Sequence, residues 1–184
     1  MNTIRAGSAV IAATVEMIAF AVWFGGIVIV GAVVAPIAFH VVTSAPEMAG
    51  TLDGGRHLAG AIVGGSLRVY NIAAIVGGIV MLVAAVRLFR AGAAAKPVAV
   101  HAALTALALA GTLVLQFGLF PAMDRLREGN LTSEFDRLHS IYETISEIQL
   151  GILVAVAAAY CTALRSISNA VYNRTSTVES ESNQ

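Results

Sequence analysis

The chain has 184 residues, 58% hydrophobic and only 12% charged, with eleven basic and eleven acidic side chains that cancel. So few charges cannot cover the surface of a water-soluble domain, where about 25% is usual, so the apolar surplus faces lipid. Zero net charge argues against nucleic-acid binding through clustered Lys and Arg. The single cysteine, Cys161, excludes an intramolecular disulfide or a CxxC centre and reads as a small buried hydrophobe in an apolar run.

The apolar run after Arg5 is longer than the roughly 7–15 residues of a signal-peptide core. It is read as a retained first span over about 11–39, interrupted only by Glu16. Glu16 lies about three turns from the N-terminus, so its carboxylate is expected to snorkel to the interface. A long connection follows. Ser44-Ala45-Pro46-Glu47 reads as a helix start and Gly54-Gly55 as a break, which predicts a short interfacial helix between spans one and two.

Span two covers about 67–88 and is bracketed by Arg68, Arg87 and Arg90. A short basic loop with Lys96 and Pro97 leads into span three, about 98–120, where His101 and Gln116 are the strongly polar groups. Phe120-Pro121 opens a third connection of mixed charge. Thr132-Ser133 ahead of Glu134 and Asp136 has the pattern of a helix N-cap with first-turn acids. Span four follows over about 140–165, and the polar segment 167–184 is expected to be disordered. The fold class is therefore an all-α, four-transmembrane-helix bundle over residues 1–166, because helices satisfy the backbone in lipid and these runs lack the alternation of barrel strands. The basic second loop, with no acid to offset it, favours cytoplasmic termini, and the Ala-rich composition suggests a bacterial inner membrane.

Helices in lipid associate through small residues that let backbones approach. Gly151, Ala155, Ala159 and Ala163 recur every fourth residue in span four, which suggests a packing face. Gly60 and Gly64 precede span two, and Gly25 lies in span one. Such faces serve a monomeric bundle or an oligomer equally well.

His139, Glu143 and Glu147 fall at i, i+4 and i+8 and share one helix face. Polar groups on one stripe of a membrane helix are expected to point into the bundle or a hydrated cavity. They could pair with Arg125, Arg127 or Arg68, bind a metal, or serve a proton path. Loops one and three share one side of a four-span protein, so His40, His57 and His139 gather there with Asp124 and Glu143, while His101 lies on the other side. Three histidines and several acids at one mouth suit a metal site or one end of a haem b pocket, or else a capping network of salt bridges. No phosphate loop, GxSxG elbow or nucleophile–base pair is visible, so no enzymatic activity is expected.

Three stretches carry a family resemblance: Val22-Trp23-Phe24-Gly25-Gly26 with Val34-Ala35-Pro36-Ile37-Ala38-Phe39; Phe120-Pro121-Ala122-Met123-Asp124-Arg125-Leu126-Arg127; and Phe135-Asp136-Arg137-Leu138-His139-Ser140. In this order they resemble the transmembrane-protein-205-like family. The resemblance implies a four-helix membrane bundle and little about function. The family often has Asn a few residues past its His, where this chain has Tyr142-Glu143. Two roles follow as expectations. One is an accessory or structural subunit docking through Gly/Ala faces into a larger membrane assembly or a homo-oligomer, without a cofactor. The other is a small-molecule, metal or haem binding or transport protein with its site at the mouth.

Overall fold

A chain crossing hydrocarbon must satisfy each backbone N–H within its own segment, and this chain does so with helices. The computed structural model describes residues 3–44, 52–90, 93–128 and 132–182, and all regular structure among them is helical. Helix α1 (Thr3–Ile29), a π-helical turn (Val30–Val34) and α2 (Ala35–Ser44) run end to end as the first span. The second span is α3 (Leu52–Arg90). The third joins α4 (Ala95–Leu113), a second π-helical turn (Val114–Leu119) and α5 (Phe120–Glu128), and the fourth is α6 (Thr132–Ser182). Four stretches are long and apolar enough to cross a membrane: Val10–Val42, Leu58–Arg90, Ala95–Leu126 and Ser133–Asn169. The protein is an integral membrane protein with the expected four-helix architecture.

Spans one and three are built alike. Each π turn ends two residues before a proline, Pro36 or Pro121. Proline has no N–H, and its ring presses on the carbonyl one turn back, so the hydrogen-bond ladder must loosen there. Widening to an i→i+5 turn accommodates the proline without ending the helix.

Two expectations about the connections change. Gly54-Gly55 does not break the chain, because α3 begins at Leu52 and continues through both glycines to Arg90. The part of the expected interfacial helix within 45–51 lies outside the described residues. The polar segment assigned to a disordered tail instead prolongs α6 to Ser182. With 39 and 51 residues, α3 and α6 extend about 58 and 76 Å at 1.5 Å per residue, well beyond a hydrocarbon core of about 30 Å.

The inward faces follow helical spacing: Ala12, Glu16, Ala19 and Trp23 on α1; His101, Thr105, Ala108 and Thr112 on α4; Gln149, Leu153, Val156 and Tyr160 on α6. On α3, Ala74, Met81, Ala85 and Leu88 are buried. Large aliphatic and aromatic side chains, including Val69, Ile72, Phe117, Ile148 and Val154, are left exposed. An apolar exterior of this extent belongs against lipid.

Two glycines make the closest approaches. A Cβ on Gly78 would stand 2.8 Å from the Trp23 indole, and one on Gly26 would stand 2.6 Å from the Tyr70 ring. These positions, rather than the anticipated Gly25 and Gly60, hold α1 tightly against α3. A Cβ at Gly25, Gly60 or Gly151 would meet nothing within 4 Å, and Gly151 and Ala155 face outward. Of the stripe on α6, Ala163 is buried within the chain and Ala159 is half-buried.

Candidate functional site

The bundle has two ends. The mouth carries the connection between α2 and α3 and that between α5 and α6. The opposite end carries both termini and the α3–α4 connection.

At the mouth, α3 projects Arg68 toward α5. The Arg68 guanidinium donates to Asp124 Oδ2 at 2.6 Å and lies 5.2 Å from the centre of the Phe120 ring. Gly64 and Gly65, lacking side chains, leave beside this pair a cleft of about 200 Å³ lined also by Ala61 and Phe120. The pair is wet, with Arg68 and Asp124 side chains 55% and 31% exposed.

The stripe on α6 does not enter the bundle. His139 Nε2 lies 3.3 Å from Glu143 Oε1, both side chains are about half exposed or more, and the His139 ring stacks on Phe135 with centroids 5.8 Å apart. Glu147 is exposed as well. The inward face of α6 is instead fixed by Tyr142, Gln149, Leu153 and Val156, whose burial turns His139, Glu143 and Glu147 to the flank. Arg125 donates from Nε to the carbonyl of Pro121 one turn back (3.3 Å), and His40 is exposed at the end of α2. His57 lies on α3, with its side chain outside the described set. Among the described residues, no three His, Cys, Asp or Glu side chains come together as a metal-ligand group.

Inside the bundle, polar side chains are tied across helices. Tyr70 donates its hydroxyl proton to the carbonyl of Trp23 at 3.0 Å. Asn71 Nδ2 donates to the Tyr142 hydroxyl at 3.3 Å. Gln149 Nε2 donates to the carbonyl of Ala108 at 3.0 Å and to Thr112 Oγ1. Where no water competes, each tie fixes one helix against another.

The most demanding pair lies toward the terminal end. Glu16 Oε1 of α1 is 2.5 Å from His101 Nε2 of α4, and the two side chains are 1% and 0% exposed. This overturns the snorkelling reading of Glu16. Its position on the face of Ala12, Ala19 and Trp23 turns the carboxylate inward, where only a partner can offset the cost of burial. Tyr160 of α6 closes the site. Its ring centroid is 5.7 Å from that of His101, and its hydroxyl donates to the carbonyl of Ala13 at 2.9 Å. Each acid or base was visible in the sequence as an intramembrane ionisable group. The missed signal was that Glu16 opens span one and His101 opens span three, so parallel spans bring them to one depth.

The family model for a domain of unknown function, DUF4149, matches residues 18–131. The chain belongs to the DUF4149 family. The DUF4149 match covers His101, Arg68 and Asp124, begins just after Glu16 and ends before α6. Comparison with curated proteins and with solved structures gives no match.

Proposed function

We propose that this DUF4149 protein is a non-enzymatic accessory or structural subunit that docks into a larger membrane assembly. The observation carrying this reading is the outward small-residue face of α6. Gly151 and Ala155 are exposed, and a Cβ on Gly151 would meet nothing. Another membrane helix could approach closely there, with Ala159 extending the contact. Filled glycine contacts and cross-helix polar ties support a packed body rather than a carrier. The three motifs support a closer kinship with transmembrane-protein-205-like proteins, the basic α3–α4 connection supports cytoplasmic termini, and the Ala-rich composition supports a bacterial inner membrane.

A cysteine at Ala155 tests the docking. Cys161 of α6 is exposed rather than buried as expected, so the test replaces it by serine: in native membranes A155C/C161S should cross-link to one fixed partner, a second copy or another protein, and G151L should abolish the cross-link. A155C/C161S that stays monomeric under oxidant would contradict the reading.

The cleft at Arg68 and Asp124 favours a second reading, binding of a ligand at the mouth. Its volume of about 200 Å³ is below the roughly 300–1,000 Å³ of most ligand pockets, which narrows this reading to a small polar molecule rather than haem. Saturable binding lost in R68A would support it.

A further inference from the structure

We infer that Glu16 and His101 form a proton-binding site inside the membrane. Three observations carry this. First, both side chains are fully buried, on different spans, at one depth. They meet at 2.5 Å across parallel spans one and three. Second, the pair is under-satisfied. Oε1 and Nε2 approach to 2.5 Å, but neither Glu16 oxygen and neither His101 nitrogen has an aligned hydrogen-bond partner among the described residues. Glu16 Oε2 and His101 Nδ1 thus remain as valences for proton exchange, where a purely structural pair would have them capped by protein groups. Third, among the described residues no other charged side chain is buried beside the pair. Tyr160 is the titratable group that α6 sets against the pair, and its proton is committed to the carbonyl of Ala13. On α3 the buried side chains along this end are Met81, Ala84, Ala85 and Leu88, while Arg87 and Arg90 of α3 and Lys96 of α4 are exposed.

The proton count follows from these residues. With one shared proton the pair is neutral, whether written as carboxylate and imidazolium or as carboxylic acid and imidazole. Uptake of one proton from water gives carboxylic acid and imidazolium, with a net charge of +1. Loss of the shared proton gives carboxylate and neutral imidazole, with a net charge of −1. Adding or removing a proton on either group changes the charge beside the other, so the pair holds its protons jointly.

The test uses the full chain in lipid nanodiscs with ¹⁵N-labelled histidine, His101 being assigned by its loss in H101Q. Between about pH 4 and pH 9, the range spanning carboxylate and imidazole titration, the His101 nitrogens should change protonation state reversibly. An infrared carboxylic-acid band that disappears in E16Q should change over the same pH interval. E16Q should also move the His101 transition. His101 and Glu16 signals that stay fixed across the range would overturn the proposal in favour of an inert ion pair. A His101 transition unchanged in E16Q would overturn the coupling. The wild-type titration needs no variant to fold, and the exchanged pair E16H/H101E, which keeps one shared proton, should restore a coupled transition if E16Q proves unstable.

Discussion

Glu16 of α1 and His101 of α4 each stand 20 residues ahead of the proline that follows a π-helical turn, Pro36 and Pro121, and their side chains meet at 2.5 Å. Twenty residues of helix span about 30 Å, close to the thickness of the hydrocarbon core. Spans one and three therefore carry the same marks at the same intervals. They have an ionisable residue near the terminal end and a proline-relaxed turn near the mouth.

The glycines separate by what lies above them. G26A and G78A should each destabilise the protein by about 1–3 kcal/mol, because the new methyl group meets the Tyr70 or Trp23 ring. G60A and G151A should be neutral or slightly stabilising in the monomer, since their Cβ positions are open and alanine favours the helix. Thermal unfolding in mild detergent reads the difference.

The inward face of α6 is tested by comparing Gln149 with the flank. Q149A removes the donor to Ala108 and Thr112 and should cost about 0.5–2 kcal/mol. H139A and E147A, on the exposed flank, should change stability by less than about 0.5 kcal/mol. Equal losses for all three would contradict this orientation of the helix.

The orientation of α6 shows where the sequence stops being legible. In water, an apolar stripe marks the inside of a helix. In lipid, both faces are apolar, so Val154 and Val156 look alike although one is exposed and the other buried. The four spans were readable because length and hydropathy suffice for them. The Gly151–Ala155–Ala159 stripe was readable as a pattern but not as a direction, and it faces outward at Gly151 and Ala155. The His139–Glu143–Glu147 stripe reads as inward-facing in the sequence because polar groups avoid lipid. It lies near the start of a helix that extends about 76 Å, where exposure brings it to the interface. Glu16 and His101 were visible singly, but their pairing is a tertiary fact.

At the mouth, the Arg68–Asp124 pair is substantially exposed and should contribute little to stability. D124N should cost less than about 1 kcal/mol, and the loss should shrink as salt is raised. A large, salt-insensitive loss in detergent unfolding would mean that the pair is buried.

The coupling between Glu16 and His101 is the most direct test of the interior pair. A double-mutant cycle of E16Q, H101Q and E16Q/H101Q, followed by reversible unfolding in detergent, isolates it. Either single change should be strongly destabilising, about 3–5 kcal/mol where a buried partner is left alone, and the double variant should be less destabilised than the sum, with a coupling of about 1–3 kcal/mol. Single effects that add to within about 0.5 kcal/mol would contradict it and return Glu16 to the membrane surface.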